Sequence, residues 1–281
     1  MLTPEAKLKQ QIGAKIQRAL IVDPHPASVQ MLGELLRNFV RCQIWSAGTS
    51  ERALMLARTH NPQIIFTEHT APGLDGIAFT KALRRSDLPC RQVPITMVTG
   101  EATAGAIISA RDAGVHEFLR KPYTLKDLTR RLEAVTLKER DWVEGVAYIG
   151  PDRRRFNSAA YAGPRKRRSD AAAARKSPDQ EKMLQALKIV RAASQALDGD
   201  WMQARRALLA QAVDLQKAAV AVGDMQLMSA AANMQRRLIN SDPATGPSRA
   251  DLLGDIRTLM GFMPKEAAAP VFIPASGSRV A

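Results

Sequence analysis

Four polar residues stand where short apolar runs end, and their types suit one shared site. Leu20-Ile21-Val22 runs into Asp23, Gln63-Ile64-Ile65-Phe66-Thr67 into Glu68, Pro94-Ile95-Thr96-Met97-Val98 into Thr99, and Glu117-Phe118-Leu119-Arg120 into Lys121. Two carboxylates, a hydroxyl and an ammonium can pair with one another or hold a cation. His25 and His69 flank the same carboxylates. Two histidines and two carboxylates could bind a transition metal, yet no helical or hairpin spacing ties these four together. No local Ser/His/Asp or Cys/His catalytic signature is present. Cys42 and Cys90 form neither a metal spacing nor a disulfide pattern, and their scarcity fits a reducing cytosol.

The elements that must position these residues follow from periodicity. Residues 18–140 alternate apolar runs with helical patterns. Val29, Leu32, Leu35 and Leu36 recur at three-to-four spacing after Asp23. Gln43-Ile44-Trp45 reads as a second strand, and Thr49-Ser50 caps a helix that stops at Asn61-Pro62. Short helices over 78–83 and 102–112 follow, the latter closed by Gly114, and a last helix spans 125–138. Strands and helices in this alternation predict an α/β fold, a doubly wound five-stranded parallel sheet. Ligands of such sheets bind beyond the carboxyl ends of the strands, where Asp23, Glu68, Thr99 and Lys121 all fall.

In order and type, these residues resemble the receiver domain of response regulators, a family of two-component signalling. The resemblance covers roughly 18–140, under half of the chain. It implies that Asp23 is the first acidic residue after strand one, a Mg2+ ligand, and that Glu68 stands at the phosphoacceptor. Thr99, before Gly100, matches the hydroxyl that bonds the phosphoryl group; Lys121, before Pro122, matches the family's lysine; Phe118 matches the aromatic that moves on switching. Pro72-Gly73 with Asp75-Gly76 matches the loop after the phosphoacceptor. Two departures mark the receiver as degenerate. The family's acceptor is normally aspartate, and the extra methylene of Glu68 moves the carboxylate on the order of 1–1.5 Å, at which scale in-line phosphoryl transfer is sensitive. The second acidic residue of the family's Mg2+-binding pair is here Pro24. Mg2+ binding is therefore expected to be weakened, and no cofactor is expected. Glu68 could instead pair with Lys121 or partly imitate a phosphorylated state.

The charge is uneven. The whole chain of 281 residues carries +14, which favours anionic partners. Residues 18–140 hold 17 Lys/Arg against 12 Asp/Glu, whereas 150–176 hold 9 against 2. Half of the net charge thus lies in one short segment containing Pro151, Gly163 and Pro164, expected to be a basic, partly disordered linker over 141–177. Within it Tyr148-Ile149-Gly150-Pro151-Asp152-Arg153-Arg154-Arg155 is repeated as Tyr161-Ala162-Gly163-Pro164-Arg165-Lys166-Arg167-Arg168. A turn followed by Arg153, Arg154 and Arg155, then by Arg165, Lys166, Arg167 and Arg168, makes candidate anion-binding clamps for nucleic acid or a nucleotide. Some receiver proteins bind a cyclic dinucleotide through an arginine-rich extension, and this segment is similar in position and composition only.

Residues 178–263 predict an all-α domain of four helices, belonging to no family recognised from its residues. Ser177-Pro178-Asp179-Gln180 is a helix start, with Leu184, Leu187, Val190 and Leu197 as one stripe. Trp201, Leu208, Leu215 and Val222 recur at seven-residue intervals after Asp198-Gly199-Asp200. Gly223-Asp224 starts a third helix and Ser248-Arg249-Ala250-Asp251 a fourth, which reads as a bundle or a dimerising hairpin. Seven of the eleven methionines lie here, suiting an adaptable surface. Residues 264–281 read as a disordered tail. No histidine follows His116, so this region is no histidine phosphotransfer module. No run of about 18 uncharged apolar residues predicts a membrane span. The expectation is a cytoplasmic, non-enzymatic signalling adaptor, independent of phosphorylation or constitutively biased, that contacts a kinase or output partner and could dimerise through its helices. The rivals are a nucleic-acid or cyclic-dinucleotide effector using the basic linker, and a working phosphorelay receiver.

Overall fold

Side-chain alternation builds the first unit. The computed structural model describes residues 3–138, 140–153 and 177–264. Strands β1 (Arg18–Val22), β2 (Gln43–Ala47) and β3 (Ile64–Thr67) join β6 (Ile95–Thr99) and β7 (Glu117–Arg120) in one parallel sheet of order β2-β1-β3-β6-β7. Successive strand residues face opposite sides. Ala19, Ile21, Ile64, Phe66, Val98 and Leu119 pack with α2 (Pro26–Phe39) and α6 (Leu125–Thr136). Leu20, Val22, Ile65, Ile95 and Met97 pack with α3 (Ser50–His60), α4 (Gly76–Arg85) and α5 (Ala104–Ala113). Both faces are therefore dry, which is why the strands read as continuous apolar runs. The five-stranded α/β architecture is as expected.

Local chemistry sets the helix ends. Thr49, Thr103 and Thr124 accept the backbone N–H of Arg52, Ala106 and Asp127. Asn61 and Gly114 close α3 and α5 in the left-handed region. After β3 the chain makes a two-residue hairpin, β4 (Thr70–Ala71) and β5 (Leu74–Asp75), about Gly73 at φ 77°. Asp75 then accepts from the amides of Ile77 and Ala78 to start α4. A side chain at Gly76 would collide with the Glu68 carbonyl, so this position requires glycine.

Two elements depart from the sequence expectation. Helix α1 (Pro4–Lys15) precedes the sheet, started by Thr3 and Pro4, and buries Ile12 and Ile16 against the α2–α6 face. Its lysines dilute the apolar pattern to two isoleucines, which hides it. Residues 141–153 are not linker. Strands β8 (Trp142–Glu144) and β9 (Ile149–Pro151) form an antiparallel hairpin. The first Tyr-x-Gly-Pro copy is thus a strand, not a turn, with the Tyr148 hydroxyl donating to the Pro151 carbonyl at 2.6 Å. The second copy, Arg154, Arg155, Arg165, Lys166, Arg167, Arg168 and most of the expected tail lie outside the described residues.

The hairpin is held by a buried cation. Arg84 on α4 is 1% exposed. Its guanidinium donates to the carbonyls of Gly114, Arg91 and Val93 and to His116 Nδ1, and lies 5.2 Å from the Trp142 ring. Arg91 bridges to Glu144 at 2.6 Å, and Glu144 also accepts from Trp142 Nε1. Burial pushes Arg84 down to about 9, which leaves it charged near neutrality. Burial, with Arg84 and Arg140 nearby, holds His116 well below its usual range.

The chain divides into two units, Met1–Arg168 and Ser169–Ala281. In the second, α7 (Pro178–Gln195), α8 (Trp201–Val222), α9 (Met225–Asn240) and α10 (Arg249–Met260) pack in sequence, and α10 returns to α7. The Ser177–Gln180 capping box, the Asp200 cap and left-handed Gly223 mark the expected boundaries. Leu187, Val190, Leu208, Leu215, Leu227, Met234 and Leu238 form its interior. Among the described residues no helix is long and apolar enough to cross a membrane.

Replacing Arg84 by Met would strand three carbonyls and a histidine nitrogen. The expected outcome is a loss of about 3 kcal/mol from the urea transition of the first unit, with faster amide exchange across 142–151.

Candidate functional site

Parallel strands deliver their carboxyl ends to one edge of the sheet. Asp23 follows β1, Glu68 follows β3 and Lys121 follows β7, while Thr99 ends β6. The lysine closes the group. Its Nζ lies 2.8 Å from Asp23 Oδ2, 2.7 Å from Glu68 Oε2 and 3.3 Å from Ser28 Oγ. The other carboxylate oxygens are also engaged. Asp23 Oδ1 accepts from the His25 amide at 2.8 Å and lies 2.9 Å from His25 Nδ1, and Glu68 Oε1 accepts from the His69 amide at 2.8 Å.

These contacts have electrostatic consequences. Both carboxylates are buried, at 7% exposure each. Burial alone would raise the Asp23 carboxyl, but the bonds from Lys121 and His25 outweigh it and hold the group below its usual range. Burial likewise pulls at the Lys121 ammonium, and the two carboxylates hold it above its usual range. Two carboxylates and one ammonium form a compact group in which each carboxylate oxygen accepts at least one hydrogen bond.

The sequence profile of the response regulator receiver domain matches residues 19–133. The chemotaxis protein CheY of Pseudomonas aeruginosa is 30% identical over 118 residues, covering 42% of this chain and 94% of that protein. The DNA-binding response regulator MtrA of Mycolicibacterium smegmatis is 28% identical over 127 residues, covering 44% of this chain and 53% of that protein. The solved chemotaxis protein CheY4 of Vibrio cholerae aligns with a TM-score of 0.40 at 24% identity, over 43% of this chain and 98% of its own. This chain belongs to the response-regulator receiver family. Its first unit carries a receiver domain of two-component signalling, followed by an all-helical region outside the matched residues.

The receiver residues expected from sequence are brought together unequally. Asp23, Glu68 and Lys121 form one bonded group. Thr99 joins it only through the backbone, its carbonyl accepting from the Lys121 amide at 2.8 Å, while its hydroxyl accepts from the Glu101 amide. Phe118 stands apart, half-buried against the core patch that includes Met97, its register neighbour. The histidines do not complete a metal site: His25 serves Asp23, the His69 ring lies 3.4 Å from the Thr70 hydroxyl, and no cluster of metal-ligating side chains occurs among the described residues. Arg153 turns to Asp112 at 2.7 Å and stacks on Tyr148.

Two neighbours escaped the sequence reading. Ser28 sits in the first turn of α2, where its offset from Asp23 could have suggested it. Tyr123, just past the cis Lys121-Pro122 bond, buries a hydroxyl that has no hydrogen-bond partner among the described residues. Burial raises this phenol above its usual range.

These residues offer the Mg2+ implied by the family fewer carboxylate donors than the family pattern has. Mg2+ wants octahedral oxygen donors. Here Pro24 replaces one carboxylate, and every oxygen of Asp23 and Glu68 already faces an N–H or ring-nitrogen partner.

Replacing Lys121 by Met would leave two carboxylates buried without a cation. The variant is expected to lose about 3 kcal/mol near neutral pH and to regain part of it as pH falls to about 5, because a carboxylate can then protonate. The natural chain is expected to show the opposite slope. The folded-state value of Asp23 is depressed, so its contribution is full above the ordinary carboxylate range and is lost as pH falls through it. Urea titrations of both proteins across this range measure the two slopes.

Proposed function

We propose that this protein is a cytoplasmic signalling adaptor whose receiver domain works without phosphorylation. The reading rests on one observation: the Lys121 ammonium sits between Glu68 and Asp23 at 2.7 and 2.8 Å. In-line phosphoryl transfer needs a carboxylate oxygen free to attack and a metal to neutralise the charge that develops. Glu68 is longer than the family's aspartate, both of its oxygens accept hydrogen bonds, and Pro24 removes one of the metal donors. The Lys121–Glu68 pair instead biases the domain toward one state, with less charge than a phosphoryl group would bring.

Output by protein contact is supported by what lies on the surface. Ile107 and Ile108 on α5 are 42% and 50% exposed, and Leu125 at the start of α6 is exposed as well. The helical unit exposes Val220, Met225 and Ile239 at about three-fifths each. Such apolar side chains suit partner surfaces. Of the arginine-clamp residues only Arg153 is described, and it pairs with Asp112 at 2.7 Å.

Incubation with acetyl phosphate and Mg2+ is expected to give no phosphoryl mass increase on Glu68 or its neighbours. A stable increase there would restore the phosphorelay reading. In pull-downs from a native extract, removal of 178–263 is expected to abolish capture of the output partner, whereas K121M is expected to change capture without a phosphodonor. Identical capture by all three proteins would refute the adaptor reading.

A further inference from the structure

The opposite edge of the receiver sheet carries a cleft of about 570 Å3. It opens where β1, β3, β6 and β7 begin, so it lies at the other end of the strands from Asp23 and Glu68. Its size is that of a small-ligand site. Much of its wall comes from residues outside the 19–133 match: the end of α1 with Lys15 and Ile16 on one side, and 134–142 on the other. It is thus built by this chain's own additions to the receiver fold.

Its lining is rich in cations, two of which also have acidic partners outside the lining: Lys138 pairs with Glu133 at 3.2 Å and Arg140 with Glu117 at 2.6 Å. Lys15, Arg18, Lys138 and Arg140 line it, and no aspartate or glutamate occurs among its described lining residues. Arg18 is anchored through Nε to the Asn61 carbonyl at 3.0 Å, which fixes the guanidinium at the mouth of β1. His116 also lines the cleft. Its Nδ1 accepts from Arg84 and from the Ile95 amide, so the neutral ring carries its proton on Nε2 and is a donor there. Trp142 adds a flat aromatic surface, supported on Arg84 and Glu144. Cations and donors around an aromatic wall suit an anion with several oxygens joined to a planar ring.

We propose that this cleft binds a nucleotide, with its phosphates at Arg18 and Lys138 and its base against Trp142. Its described lining shares no residue with the acidic crevice.

Isothermal titration of the full chain with ATP, GTP, CTP and UTP tests this, with adenosine and inorganic tripolyphosphate as partial ligands. At least one nucleotide is expected to bind saturably and more tightly than either partial ligand. The R18A/K138A variant is expected to weaken it by about tenfold or more, the loss of one or two charge-assisted bonds. Lys138 is 71% exposed, so K138E alone keeps the test available if R18A disturbs β1. Alanine at Arg165, Lys166, Arg167 and Arg168 is expected to leave the affinity unchanged. Absence of saturable binding by all four nucleotides overturns the proposal. So does binding that survives the cleft variants, or that is lost only with the basic-segment variant.

Discussion

One ammonium group holds the carboxyl edge of the receiver sheet together. Strands β1 and β3 are neighbours, so burying Asp23 and Glu68 at their ends places two negative charges side by side. Buried carboxylates need a cation or they protonate. The cation comes from β7, on the far side of β6 and about 10 Å from β3 at ordinary strand spacing. Only a long, flexible side chain spans that gap, and Lys121 does so with an ion pair to each acid. Lys121 therefore offsets part of the negative charge at this edge through bonds made within the domain.

The other edge is organised by a different buried cation. Arg84 satisfies loop carbonyls that precede β6 and β7, and Trp142 lies over it. A guanidinium suits this place because its fixed fork of donors meets several carbonyls at once. Through it the β8–β9 hairpin becomes part of the receiver unit. Helix α1 is attached by plain burial of Ile12 and Ile16. These additions extend the receiver beyond its family-matched core and shape the basic cleft. The two ends of one sheet thus differ in lining, one carrying Asp23 and Glu68 about Lys121, the other several lysine and arginine side chains.

Legibility in the sequence followed the strength of the local pattern. The five sheet strands were readable because both faces are buried and leave uninterrupted apolar runs, and each run ends in the polar residue that matters. Caps at Thr49, Ser177 and Asp200 were readable because a short oxygen before a helical pattern has few other uses. Helix α1 was not, since two buried isoleucines among lysines make no periodic stripe. The hairpin over 142–151 was misread because it adjoins the basic run that starts at Arg153 and carries Gly145, Gly150 and Pro151. What orders it is contact with Arg84 and Arg91, some 50 to 60 residues earlier.

By itself, the sequence determined the family, the alternation of elements and the positions of Asp23, Glu68, Thr99 and Lys121, because these depend on residue type and spacing along the chain. It also showed that Glu68 and Pro24 depart from the family pattern. Only the tertiary structure decided what those residues do to one another. Whether Glu68 faces solvent, a metal or Lys121 depends on distances across three strands, and such distances are set by packing of the whole sheet rather than by any local stretch. The same holds for the basic cleft, whose cations lie as far apart in sequence as Arg18 and Lys138 and meet only because the sheet brings its strand beginnings to one edge.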